Sequence, residues 1–182
     1  RKFFVDYLGD AISYFKGKTS DIYSQYKAIQ ARIDGLVQNL SGETNPNQNT
    51  LLTVVSHSLG TVVLSDYLYD KRDSLESNDQ LTFSNFFTLG SPIALYANRF
   101  YNHQSPSNPF ANFKPQKVKD PKGVWVNLFD EDDIVGYPIR PVNSYCEKAV
   151  TADLNVSVGS LLTGWNPASH TGYWEDEKVG KI

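Results

Sequence analysis

The chain has 182 residues, of which 40% are apolar and 13% aromatic, so it is long enough to form one domain with a substantial core. Its formal net charge is −3 and it has no polybasic run, which argues against a nucleic-acid-binding module and against a membrane-surface protein. The single cysteine, Cys146, excludes an intrachain disulfide and any metal site that needs two cysteines. No run approaches the ~18 apolar residues of a membrane helix, and no signal peptide opens the sequence, so we expect no transmembrane segment and a cytoplasmic protein.

The first half of the chain predicts a helix, a strand and a second helix. Residues 24–40 form an amphipathic helix pattern whose apolar positions are Ile29, Ile33, Leu36, Val37 and Leu40. After a polar loop, LLTVV at 51–55 is mostly apolar and predicts a strand buried on both faces. The run TVVLSDYLYDKRD at 61–73 then predicts a helix.

The rest of the chain predicts three further strands. FFTL at 86–89 and VWVNLF at 124–129 are short apolar runs. Residues 151–158 alternate polar and apolar side chains, which predicts a half-exposed strand that would suit one arm of a hairpin. The tail that begins SHTGYWEDE at 169 predicts a short final helix. Strand, helix, strand, long connection and strand are typical of the α/β class, with a mostly parallel sheet and flanking helices.

The long connection at 93–122 is rich in aromatic side chains. These are Tyr96, Phe100, Tyr101, Phe110 and Phe113. Connections of this length are usually functional or disordered, and the aromatic residues would suit a lid or one wall of an apolar pocket. An equally weighted interpretation is a satellite cluster that pins a long loop to the domain.

The segment SHSLG at 56–60 lies between a predicted strand and a predicted helix. This is the context of a nucleophile elbow, in which a serine is exposed on a strained turn and its neighbours two positions away must be small. Here the nucleophile would be Ser58, and the small neighbours are Ser56, where glycine is usual, and Gly60. The helix N-terminus favours developing negative charge, and the Leu59 N–H is the expected first oxyanion donor.

A serine nucleophile needs a base, and the chain contains three histidines. His57 adjoins the serine on a sharp turn and is expected to be a structural or pocket-lining residue. His103 lies in a connection rich in Pro, Asn and Ser, where an exposed position is expected. His170, in SHTGYW, follows the last predicted strand and fits the chain order serine, acid, histidine.

The acid that orients the base is expected in a loop after a sheet strand. The cluster at 130–133 follows VWVNLF and contains four acidic residues. Asp133, just before IVGYP, is the favoured acid, and Asp130, nearer to the strand end, is the alternative. The acid would hold the imidazole tautomer and stabilise the imidazolium without taking the proton.

Four segments in order, VVSHSLG, TLGSPI, DDIVGYP and SHTGYW, resemble lipase- and esterase-type members of the α/β-hydrolase superfamily over roughly residues 51–174. The resemblance implies an α/β-hydrolase fold and a Ser58–His170–Asp133 triad that cleaves carboxylic esters through an acyl-enzyme. It implies no metal and no organic cofactor. The substrate would be a small-molecule or lipid ester, although a thioesterase or an amidase would use the same triad.

The region before Ser58 departs from this pattern. Members of the superfamily have several strands before the nucleophile strand and often an early His-Gly segment that supplies the second oxyanion donor. No His-Gly pair lies upstream of Ser58. We therefore expect residues 1–182 to be a single hydrolase domain that lacks the early strands, the C-terminal portion of the fold. The alternative is a binding module with weak or no catalysis, because losing one oxyanion donor costs on the order of 10²–10³ in rate.

Overall fold

The computed structural model describes residues 23–43, 49–78, 80–101, 120, 122–158 and 169–181. His103, Phe110 and Phe113 lie outside these ranges, as do the side chains of Phe100 and Tyr101, so the predicted lid or pocket wall stays a prediction. The chain divides into two compact units, residues 1–48 and residues 49–182.

In the first unit, helix α1 spans Tyr23–Glu43, which confirms the helix predicted at 24–40. Its apolar stripe is partly open to solvent: Leu36 is 64% exposed and Leu40 is 43% exposed.

Among its described residues, the second unit contains a four-stranded sheet in which every neighbouring pair of strands is parallel. The strands are β1 (Thr50–His57), β2 (Leu81–Leu89), β3 (Trp125–Phe129) and β4 (Ala152–Asn155), in the order β1-β2-β3-β4. Parallel neighbours require crossover connections, so the carboxyl ends of all four strands meet at one edge of the sheet. This arrangement confirms the α/β class at the level of a parallel sheet with flanking helices.

The helices of this unit are α2 (Leu59–Asp70), α3 (Arg72–Glu76), α4 (Ile93–Tyr101) and α5 (Ser144–Ala149). The described part of this unit also contains three 3-10 segments, one between β3 and β4 at Arg140–Val142 and two after β4 at Ser169–Trp174 and Val179–Lys181. The single helix predicted at 61–73 is two helices, because the chain turns at Lys71. Within the described ranges, no helix combines the length and the apolar character needed to cross a membrane.

The prediction that β1 is buried on both faces is wrong. Successive side chains of a strand point to opposite faces. Leu51 and Val55 are four positions apart and therefore point to the same face, where they are 60% and 49% exposed. Leu52 and Val54 point to the other face and are half-buried. Strand β1 stands at one end of the strand order, so it has a neighbour on one side only within the described sheet.

The hairpin predicted for residues 151–158 is also wrong. Strand β4 pairs with β3 in parallel, with Val126 opposite Ala152 and Phe129 opposite Asn155. The segment between the two strands contains a 3-10 turn and α5, and this crossover returns the chain to the starting end of the sheet. The half-exposed character was predicted correctly, because Ala152, Asp153 and Leu154 are all half-buried.

The core of this unit lies around the two central strands. The rings of Phe86 on β2 and Trp125 on β3 pack with their centroids 5.0 Å apart, and both side chains are fully buried. A second cluster lies nearer to the carboxyl ends of the strands and comprises Leu89, Val126, Leu128, Val158 and Tyr173. This cluster joins the sheet to the 3-10 segment at Ser169–Trp174, so the sheet core supports the residues described next.

Cys146 on α5 is fully buried. Burial raises the pKa of its thiol to about 12, so the sulfur stays protonated at neutral pH.

Candidate active site

Ser58 occupies a strained turn between β1 and α2. Its backbone angles are φ 57° and ψ −134°, and it is the one non-glycine residue with positive φ in the described part of the chain. Its backbone N–H donates to Leu89 O at 3.0 Å, which ties the turn to β2. A Cβ atom on Gly60 would lie 3.1 Å from Ser56 Oγ, so the flanking positions need small residues. A conformation of this kind costs on the order of 1–3 kcal/mol and persists only where the surroundings enforce it.

Buried hydroxyl groups hold the carbonyl side of this turn. Ser58 O accepts from the Thr61 N–H at 3.0 Å and from the Thr61 hydroxyl at 2.7 Å. Because the Thr61 hydroxyl donates there, the Ser91 hydroxyl donates to Thr61 Oγ1 at 2.8 Å. Ser91 O in turn accepts from the Tyr137 N–H at 3.2 Å, so the chain of bonds runs from the elbow to the loop after β3.

His170 lies between Ser58 and a carboxylate. Its Nε2 is 2.7 Å from Ser58 Oγ, and its Nδ1 is 2.8 Å from Asp133 Oδ2. An ionised carboxylate only accepts, so Nδ1 carries the proton and Nε2 accepts from the serine hydroxyl. The side chain of His170 is 2% exposed and that of Asp133 is 0% exposed. The unprotonated nitrogen of the imidazole is therefore directed at Ser58, and the imidazole–carboxylate pair is shielded from water.

Asp133 is held as a carboxylate by several donors. Burial raises the pKa of Asp133, but the hydrogen bond and charge of His170, the Val135 N–H and the Tyr173 hydroxyl outweigh burial and lower the pKa below its ordinary value. The Val135 N–H donates to Oδ1 and the Tyr173 hydroxyl donates to Oδ2, both at 2.9 Å. The acid is thus charged and oriented at neutral pH.

Asp130, the alternative acid, uses its carboxylate to hold the backbone. Oδ1 accepts from the Asp132 N–H at 2.9 Å, and Oδ2 accepts from the Val158 N–H at 2.7 Å. The residue is 4% exposed. These bonds fasten the acid loop to the chain that leaves β4, which is a structural role.

His57 supports the base from its own side. Its ring centroid is 4.8 Å from that of His170, and its Nε2 lies 2.7 Å from His170 O. The carbonyl only accepts, so His57 Nε2 carries a proton and donates. Burial lowers the pKa of His57 despite this bond, so the ring is neutral and places no positive charge beside His170.

Two glycines enclose the Asp133 carboxylate. A Cβ on Gly90, which has φ +51°, would lie 2.9 Å from Asp133 Oδ2 and 2.7 Å from Tyr173 Cε2. A Cβ on Gly136 would lie 2.6 Å from Asp133 Oδ2. Real Cβ atoms do not approach other atoms so closely, so both positions require glycine.

The structure thus brings together Ser58, His170 and Asp133, with Leu59 as the first residue of α2. It places Tyr96 half-buried on α4. Sequence reasoning assigned no role to Thr61, Ser91, Gly90, Gly136 or Tyr173. The spacing of three between His170 and Tyr173 was the available signal, because residues three apart in a helical segment share a face.

The described residues include no group of three or more His, Cys, Asp or Glu side chains that is arranged to hold a metal ion. Comparison with known proteins found no protein-family model, no curated protein and no solved structure that matches this chain. The geometry of the site therefore carries the functional argument.

Proposed function

We propose that this protein is a serine hydrolase of the α/β-hydrolase type that cleaves carboxylic esters through an acyl-enzyme on Ser58. The observation that carries the proposal is the continuous hydrogen-bonded line from Ser58 Oγ to His170 Nε2, at 2.7 Å, and from His170 Nδ1 to Asp133 Oδ2, at 2.8 Å. A nucleophile, a base and an acid within direct hydrogen-bond reach are the signature of nucleophilic catalysis.

The positions of these residues in the fold support the hydrolase type. Ser58 follows β1 on a strained turn into a helix, Asp133 follows β3, and His170 lies beyond β4. The chain order serine, acid, histidine is that of α/β-hydrolases and differs from the order in two unrelated serine protease folds.

Acylation follows from the proton positions. As Ser58 Oγ bonds to the ester carbonyl carbon, His170 Nε2 takes the hydroxyl proton, and the carbonyl oxygen becomes an oxyanion. The Leu59 N–H at the start of α2 donates to that oxygen, and the helix dipole favours its charge. The carbon–oxygen bond to the alcohol then breaks, and His170 returns its proton to the departing oxygen.

Deacylation repeats these roles with water. His170 takes a proton from a water molecule whose oxygen bonds to the acyl carbon, and then protonates Ser58 Oγ as the acid is released. Asp133 keeps its negative charge throughout and stabilises the imidazolium in both halves of the reaction.

The test is covalent labelling of the purified full chain with a fluorophosphonate probe, beside Ser58→Ala and His170→Ala variants. We expect labelling of the wild type, none of Ser58→Ala, and a loss of ester turnover on the order of 10⁴- to 10⁶-fold in either variant. Ser74→Ala is the matched control, because Ser74 lies on α3, is exposed and donates to Lys71 O.

A panel of nitrophenyl esters of increasing acyl length, with matched thioesters and anilides, then sorts esterase, lipase, thioesterase and amidase activity. An intact wild-type protein that takes no label would contradict the hydrolase proposal and favour the binding module. Labelling that persists in Ser58→Ala would place the nucleophile elsewhere.

A further inference from the structure

The hydroxyl group of Tyr173 joins the two acidic residues of the loop after β3. It donates to Asp133 Oδ2 at 2.9 Å and accepts from the Asp130 N–H at 2.9 Å. A backbone N–H only donates and a carboxylate only accepts, so the directions of both bonds are fixed. The hydroxyl therefore has one defined orientation, with its proton directed at Asp133 Oδ2.

Asp133 Oδ2 is the oxygen on which the base depends. It accepts from His170 Nδ1 at 2.8 Å as well as from the Tyr173 hydroxyl. Gly90 and Gly136 close the space around the same oxygen, because a Cβ on either would approach it within 2.9 Å or 2.6 Å. The carboxylate is thus held both by hydrogen-bond donors and by close packing of the glycine backbone.

The aromatic ring of Tyr173 packs in the apolar core, which is separate from the contacts of its hydroxyl group. It is 1% exposed and belongs to the cluster with Leu89, Val126, Leu128 and Val158. The ring accounts for the burial of this side chain, but apolar packing gives no reason for a hydroxyl at its tip. A buried hydroxyl must find partners, and here both partners belong to the acid loop.

We propose that Tyr173 is a positioning residue whose hydroxyl holds the Asp133 carboxylate toward His170 and stabilises its charge. This inference rests on the proposed serine hydrolase function, since it assigns to Tyr173 a part in keeping the base of that reaction in place.

The direction of the effect on pH dependence follows from the contacts. Burial and the charge of Asp133 raise the pKa of the Tyr173 hydroxyl, so it stays a proton donor across the working range. Its bond is one of those that lower the pKa of Asp133. Removing the hydroxyl leaves the Asp133 carboxylate a stronger acceptor for the proton on His170 Nδ1, which favours the imidazolium. The unprotonated base, and with it the active form, is therefore lost at a higher pH on acidification.

Among the described residues, the titratable groups that face Asp133 are His170 and Tyr173 by direct contact, with Asp130 joined through the tyrosine hydroxyl. His57 stands behind His170, with its ring centroid 4.8 Å from that of His170.

The first experiment compares the pH profile of kcat/KM for the wild type and for Tyr173→Phe, which keeps the ring. We expect kcat/KM to fall about 10- to 100-fold, as for the loss of one hydrogen bond to a charged group, and the acid limb to move to higher pH. Tyr137→Phe is the matched control, because the Tyr137 hydroxyl is exposed and donates to Ile134 O in the same loop. Its profile should superimpose on that of the wild type.

In Tyr173→Phe the Asp130 N–H loses its acceptor, so a loss of activity in that variant would also follow from a loss of fold. A second replacement, expected to move the acid limb the other way, tests the inference without removing this bond. Replacement of Tyr173 by 3-fluorotyrosine keeps the ring and the hydroxyl but makes the hydroxyl a stronger donor. We expect the acid limb to move to lower pH in this protein.

A readout without turnover separates this inference from the proposed function. A proton on His170 Nδ1 that is hydrogen-bonded to a carboxylate is expected to give a far-downfield NMR resonance, and a change in its shift would report on Asp133 directly. A wild type that does not react with fluorophosphonate but whose resonance moves in Tyr173→Phe would contradict the hydrolase and leave the positioning role standing. An unchanged acid limb and an unchanged resonance in both Tyr173 replacements would overturn the inference and leave Tyr173 as a packing residue.

Discussion

The two sides of the candidate site are built in different ways. The nucleophile side is local: Ser56, Ser58, Gly60 and Thr61 come from one six-residue stretch, and its defining feature is a positive φ at Ser58. The acid–base side is assembled from distant segments, since Asp133 and His170 are separated by 37 positions and Gly90 comes from a third segment. The first side depends on backbone strain, and the second on buried hydrogen bonds and close packing.

Because the two sides are built differently, mutations at each side are expected to have different effects. At the elbow, backbone conformation and chemistry reside in one residue, so a change can remove activity and relieve strain together. At the acid–base side, each group holds another in place, so a change affects position, charge and stability at once.

The largest effect that tests this comparison is expected within the acid loop itself. Asp133→Asn should lower kcat/KM on the order of 10²- to 10⁴-fold, because an amide at this position disrupts the tautomer that His170 needs. Asp130→Asn should instead lower the free energy of unfolding by about 1–3 kcal/mol, because an amide group has one acceptor oxygen and cannot accept from both the buried Val158 N–H and the part-buried Asp132 N–H. Activity per folded molecule should be largely kept.

Steady-state kinetics and urea unfolding of both variants measure these two quantities. The reverse result, in which only the Asp130 change abolishes turnover, would transfer the acid role to Asp130 and remove the basis of the comparison.

The second-largest expected effect concerns the close packing of Gly90 against the Asp133 carboxylate. Gly90→Ala should lower the free energy of unfolding by about 2–4 kcal/mol, because it combines a strained φ of +51° with contacts under 3 Å to Tyr173 and Asp133. Gly35→Ala is the matched control, since nothing lies within 4 Å of a Cβ at this helical position and alanine should stabilise α1 by about 0.5–1 kcal/mol. Denaturant unfolding of the two variants checks both signs, and equal losses would show that the space at Gly90 is not decisive.

The smallest effect isolates strain at the elbow. Ser58→Gly and Ser58→Ala both lack the hydroxyl, so neither should turn over an ester. The glycine variant should nevertheless be about 1 kcal/mol more stable than the alanine variant, because glycine accepts positive φ without a steric penalty. Thermal and urea unfolding of the pair measure the difference. A more stable alanine variant would show that the turn is not strained in solution.

The contrast between a locally built side and a side assembled from distant segments also explains which features could be predicted from the sequence. The strand, elbow and helix around Ser58 were predictable because hydrophobic pattern and turn chemistry are local properties. The choice of His170 followed from chain order, and the structure places it against both Ser58 and Asp133. The parallel sheet followed from the alternation of strands and helices.

Other features depend on which segments meet in space. The exposed face of β1 could not be predicted, because an apolar run does not show where a strand stands in the sheet. The parallel pairing of β4 was missed because residue alternation does not identify the neighbouring strand. Asp130 and Asp133 are three positions apart in one loop, and only side-chain direction distinguishes them. The role of Tyr173 depends on a hydroxyl that reaches the acid loop from a segment 40 positions away.

The burial of Cys146 has a practical consequence for site-specific labelling. Maleimides and iodoacetamides react with the thiolate and need access to the sulfur, and the only native thiol of the chain is fully buried and protonated at neutral pH. A single cysteine placed at exposed Ser74, on α3, should therefore take a fluorophore or a spin label while Cys146 stays in place. One added cysteine is therefore enough to attach one reporter at a chosen position, and Cys146 does not have to be replaced first.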